Sequence, residues 1–100
     1  MKNFRTLDAA IAFYQVAKLQ KFRRPLQDQY DRALLSVVLN LSEGNAKPTA
    51  RDRRKFFYTA LASFREVQTL LLISDRHSLH SKSDSLGAML YCLCKKTCGD

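Results

Sequence analysis

The sequence predicts an all-α protein: an antiparallel up-down four-helix bundle that is oligomeric. Three observations carry that expectation. Apolar residues recur at three- and four-residue spacing along most of the chain, breakers are scarce, with three Gly and two Pro in 100 residues, and the breaks between periodic stretches are short. Short connections make consecutive helices antiparallel neighbours. Strand alternation does not compete, because Val37, Val38, Phe56, Phe57 and Tyr58 stand in adjacent pairs or triplets inside helical stripes. With 46% hydrophobic and 26% charged residues, the chain reads as one compact domain over residues 1–100.

The first helix is expected over 7–23. Leu7, Ile11, Tyr14, Ala17 and Phe22 form its stripe, Thr6 is a candidate N-cap, and Pro25 ends the run because the residue before proline is pushed out of the α region. The second is expected over 26–43, with Leu26, Tyr30, Ala33, Leu34, Val37 and Leu41 on one face and Gly44 as a stop that adopts positive φ cheaply. Asn45 to Pro48 is a polar turn. Thr49 and Asp52 have capping-box spacing, so the third helix starts there and its stripe of Phe57, Leu61, Phe64, Val67 and Leu71 runs to about Ser74. It is the longest element. Ser81 and Asp84 repeat the capping spacing, and Leu86, Met89, Leu90 and Leu93 carry the fourth and shortest helix to Cys94–Lys96.

These helices have more apolar surface than a bundle core uses. Ala9, Phe13, Val16 and Leu19, then Leu35, Val38 and Leu39, then Phe56, Leu70 and Ile73 widen three of the stripes. A second apolar face in a soluble chain is expected to be covered, and a further copy of the same chain is the simplest cover. A short chain buries only about 60–70% of the surface its unfolded form exposes, which favours the same outcome.

Charge and cysteine usage exclude several classes. Seventeen Lys and Arg against nine Asp and Glu give a formal charge of +8, spread evenly enough that any anion site must be built by folding. Cys92, Cys94 and Cys98 are odd in number and crowded near one end, unlike a secreted disulfide framework, so a reducing cytoplasm is expected. The opening residues lack a signal-peptide apolar core, and the aliphatic run Leu70 to Ile73 is far short of a membrane span. No metal site is expected: His77, His80 and Asp75 have no Cys-x-x-Cys partner, although Cys94 and Cys98 share a helix face. No cofactor loop stands out either, since Gly44 and Gly87 read as a helix stop and a close helix contact.

Two basic clusters are the candidate anion sites. Lys18, Lys21, Arg23 and Arg24 fall at the expected end of helix one, where cations complement the helix dipole. Arg51, Arg53, Arg54 and Lys55 fall at the start of helix three, where cations oppose the dipole and so lack a stability explanation; beside first-turn amides they make an anion-attracting surface. An up-down bundle places the clusters at opposite ends. A third set reads as structural: Arg32 would pair with Glu66 or Glu43 across neighbouring helices, Asn40 and Glu43 would satisfy backbone groups after Gly44, and Ser63 shares a face with Glu66. No substrate-sized gap between carboxylates is advertised, so no catalytic residues are expected.

The runs Asn40-Leu41-Ser42-Glu43-Gly44, Phe57 to Glu66 and Leu86-Gly87-Ala88-Met89-Leu90, with the opening Asn3-Phe4-Arg5-Thr6-Leu7, resemble the bacterial four-helix-bundle family. That family is also called the 23S rRNA intervening-sequence family and includes accessory variability proteins of diversity-generating retroelements. Val38, Ala62 and Ala88 depart from its usual Pro, Gly and Arg, and the stretch between helices three and four looks short. The resemblance implies a four-helix protomer, a ring-shaped homopentamer, no enzyme activity and a nucleic-acid role. The expected partners are therefore further copies of the chain, RNA or DNA contacted through the phosphate backbone, and a protein such as a reverse transcriptase, with no membrane. The competing expectation is a structural or protein-interaction scaffold whose basic surface maintains solubility.

Overall fold

The computed structural model describes residues 4–98, without the Cys98 side chain; Asn3 of the opening run and the face of Cys98 lie outside the described residues. Five helical segments follow one another: α1 (Arg5–Ala17), α2 (Leu26–Asn45), α3 (Ala50–Ile73), α4 (His77–Lys82) and α5 (Asp84–Cys98). Among the described residues there is no strand. The four long helices neighbour one another in a closed cycle, α1 on α2, α2 on α3, α3 on α5 and α5 on α1, with α4 inset between α3 and α5. The result is an all-helical fold compatible with a four-helix bundle, measuring 40 × 22 × 21 Å. At ~1.5 Å per residue, α3 spans nearly all of the long axis.

The helix core is built in two tiers along α3. Leu7, Ala10, Val37, Leu41, Phe57, Ala60, Phe64, Leu86, Leu90 and Cys94 form one cluster. Ala17, Tyr30, Ala33, Leu34, Val67, Leu70, Leu71 and Leu79 form the other, and Phe13 packs against both. Gly44 of α2 faces Phe57 of α3, and the Ser36 and Ser63 hydroxyls lie 2.7 Å apart, so later positions on one helix meet earlier positions on the other.

Helix α1 ends six residues before its expected boundary. The groups that a longer helix would pair internally are taken by α2. Tyr30 donates its hydroxyl to the Ala17 carbonyl at 2.7 Å; the Gln27 side chain accepts from the Phe22 amide at 2.7 Å and donates to the Gln20 carbonyl. Leu19 is exposed, so extending the helix would bury little. Lys18 is the C-terminal cap, and Lys21, Arg23 and Arg24 therefore stand in the α1–α2 loop rather than on a helix end. Their expected dipole complement does not exist. At the other end α1 begins at Arg5, with Thr6 buried inside the first turn instead of capping it. Ile11, expected in the core stripe, is 40% exposed.

Gly44 also differs from expectation. It sits inside α2 without positive φ, and its missing side chain makes room for Phe57. Thr49 does cap α3, accepting from the Asp52 amide at 3.2 Å. After Ile73 the chain reverses through Asp75, whose φ of 57° is a left-handed conformation that Asp adopts more readily than most residues. The stretch that looked short contains α4, with Ser81 inside it. Buried Ser83 forms the joint to α5: its hydroxyl donates to the His80 carbonyl and accepts from Gln68 Nε2 at 3.0 Å. With α4 six residues and α1 thirteen, the last helix, at fifteen, is not the shortest.

Candidate nucleic-acid interface

One end of the molecule collects the start of α1, the end of α2, the start of α3 and the end of α5. Phe4 packs on Phe57 with ring centroids 5.8 Å apart, and Phe4, Asn45, Arg53, Leu93 and Lys96 line one shallow groove. Arg5 and Lys96 line another beside it, of about 360 Å³. Among the described residues, Arg51, Arg53, Arg54 and Lys55 thus share an end with Arg5, Lys47, Lys95 and Lys96, against Asp8, Glu43 and Asp52. The opposite end holds the other basic cluster. Arg76, just past α3, donates to the Lys21 carbonyl and places the α1–α2 loop there.

The eight cations are not equivalent. Arg53 is half-buried and donates to the Lys47 carbonyl at 3.0 Å, closing the α2–α3 turn. Lys47 pairs with Glu43 at 3.4 Å and lies 5.1 Å from the Phe56 ring centroid. Lys95 and Lys96 occupy the last turn of α5, where they complement its dipole. Arg51 and Lys55 are exposed, stand one turn apart and have no ion-pair partner among the described residues. They are the cations best placed to meet an outside anion.

In the loop cluster, Arg24 pairs with Asp28 at 3.1 Å, and Lys18 lies 5.9 Å from the Tyr14 ring centroid. Asp28 and Asp31 stand in the first turns of α2, so this end is less positive. Nearby, burial pushes the Tyr30 hydroxyl above the usual tyrosine range; the Asp31 carboxylate adds to the effect and the Arg76 guanidinium opposes it. Tyr30 therefore remains a neutral hydrogen-bond donor at neutral pH.

The expected structural set is rearranged. Arg32 forms no ion pair with Glu66 or Glu43 among the described residues, and Glu43 pairs with Lys47 instead. Asn40 does not serve the turn after Gly44; its amide donates to the Ser36 carbonyl and hydroxyl, each at 2.9 Å. Through Ser36 it joins Ser63, making a polar contact between α2 and α3. Glu66 is exposed. Among the described residues no group of three His, Cys, Asp or Glu could hold a metal ion, and no helix is long and apolar enough to cross a membrane.

Sequence reasoning missed Arg5, Lys47, Lys95 and Lys96 as members of the cationic end. The signal was available in topology: in an up-down bundle the start of the first helix, the end of the second, the start of the third and the end of the last fall at one end, so these four positions fall with Arg51–Lys55.

Fold and surface define a small basic all-helical protein with a concentrated cationic end and no enclosed cavity among its described grooves. A sequence model of the 23S rRNA-intervening sequence protein family matches residues 5–96, and the chain belongs to that family. No curated protein and no solved structure matches it.

Proposed function

We propose that this chain is a non-enzymatic, single-domain antiparallel four-helix protomer that assembles with copies of itself and binds structured RNA through the phosphate backbone. The reading rests on the convergence of cations from α1, α2, α3 and α5 at one end. Arg51 and Lys55 provide exposed charge beside the first-turn amides of α3, and repetition around a ring multiplies the phosphate contacts. Membership of a 23S rRNA-intervening sequence protein family favours RNA over DNA. A pentamer, a reducing cytoplasmic setting and a reverse-transcriptase partner follow from the resemblance and the cysteine pattern as parts of the same proposal. The exposed side chains Leu35 and Leu39, one turn apart on α2, support self-association.

The test is fluorescence anisotropy of a structured RNA and a duplex DNA at several salt concentrations, with oligomer mass measured on the same samples. Tight binding should weaken steeply with salt. Arg51→Gln with Lys55→Gln should reduce the slope of log affinity against log salt by about 1.4–1.8 for two lost contacts, leaving helicity and mass unchanged. An unchanged slope sinks the assignment of these two cations. Absence of binding at low salt from an intact oligomer overturns the nucleic-acid reading in favour of a protein-interaction scaffold.

A further inference from the structure

The groove at the cationic end has a floor as well as a charged rim. It is an open depression of about 250 Å³ between the ends of four helices, with Phe4, Phe57 and Leu93 making its apolar part. The polar rim comes from three helices. Asn45 presents a side-chain amide that has no hydrogen-bond partner among the described residues, and Lys96 an ammonium with no ion-pair partner. Arg53 uses one guanidinium nitrogen on the Lys47 carbonyl, and a guanidinium has further donors.

We infer that this groove receives one unpaired nucleotide of a bound RNA strand. The base packs against Phe4, its edge meets the Asn45 amide, and its phosphate lies by Lys96. An aromatic wall is a sequence-tolerant platform for an unstacked base, and an amide, being donor and acceptor at once, matches the mixed edge of a base better than it matches a lipid chain or a bare anion. The volume is below the roughly 300–1,000 Å³ of sites that enclose a free small molecule, so the rest of the ligand lies outside, where Arg51 and Lys55 meet its phosphates. This site rests on the nucleic-acid reading and adds to it a discrimination between paired and unpaired RNA.

The experiment compares a blunt RNA duplex, the same duplex with a one-nucleotide overhang at either end, and the overhang made abasic, which keeps the extra phosphate. The overhang should improve affinity about tenfold at fixed salt, and the abasic version should not. Phe4→Leu, which keeps apolar bulk without the ring face, and Asn45→Ala, which removes no side-chain hydrogen bond among the described residues, should each reduce the advantage while blunt-duplex affinity stays put. Equal binding of blunt and overhanging duplexes, an abasic overhang as good as the intact one, or an advantage that survives both substitutions overturns the site while leaving the phosphate-contact reading standing. Failure of every RNA to bind overturns both.

Discussion

Two glycines, Gly44 of α2 and Gly87 of α5, should respond oppositely to the same substitution. A Cβ on Gly44 would stand 2.7 Å from Phe57 Cε1 and 2.9 Å from the Cβ of Phe56. Neither neighbour can yield cheaply, since Phe57 is buried against Phe4 and a Cβ follows its own backbone. Gly44→Ala should therefore destabilise by about 1–3 kcal/mol despite better helix propensity. A Cβ on Gly87 meets Gln68 Nε2 and Phe64 Cε2 at 3.4 Å, ordinary contact, so Gly87→Ala should stabilise by about 0.5–1 kcal/mol through propensity alone. Urea midpoints at constant m-value check both, and a neutral Gly44→Ala would refute the close-approach account. The sequence places Gly44 at the end of an apolar stripe, where a stop and a contact glycine look alike. What separates them is a ring from α3, which becomes a neighbour only after folding. The Asn40–Ser36–Ser63 contact was hidden for the same reason: Asn40 has an equally good local role at a helix end until the partner hydroxyl is known.

At the scale of elements, helices α2 and α3 were legible because long periodic stripes and a Thr49 cap agree with their packing. Residues 18–23 continue a helix-compatible pattern and yet form a loop, because side chains from elsewhere pair their backbone groups. Gln27 comes from α2 and Arg76 from beyond α3, while Tyr30 of α2 takes the last carbonyl of α1, at Ala17. Arg76 also lies 4.9 Å from the Phe22 ring centroid, and that ring packs on Tyr30 with centroids 4.5 Å apart. The α1–α2 loop is thus tied down by a residue more than fifty positions away, which no local pattern announces. Removing the tie should free the loop without dismantling the helices. Arg76→Gln should raise tryptic cleavage after Lys21 and Arg23 by about 5–30-fold, the equivalent of roughly 1–2 kcal/mol of local opening, with little change in helicity. Cleavage no faster than in the parent chain would show that the α2 contacts alone hold the loop.

For the whole molecule, charge and apolar surface act against each other. Each chain carries +8, so bringing copies together costs repulsion, whereas Val16, Leu19, Leu35, Leu39 and Ile73 leave apolar area that association can bury. Part of the widened stripes turned out to be used within one chain: Leu70 is buried, and Ala9, Phe13 and Val38 pack against the core. The sequence therefore overstated the free apolar face, because helix periodicity gives the width of a stripe but not how many neighbours cover it. What remains exposed still predicts a particular salt response. Added salt screens repulsion between like-charged copies and does not weaken apolar burial, while it competes directly with phosphate contacts. Between about 0.05 and 0.5 M salt, then, oligomer mass by light scattering should hold or rise as RNA affinity falls. Leu35→Lys with Leu39→Lys should lower the mass at every salt concentration, because it adds charge where apolar contact is required. If mass falls with salt in the parent chain, ion pairs rather than these leucines join the copies, and the interface must be sought among the charged helix ends.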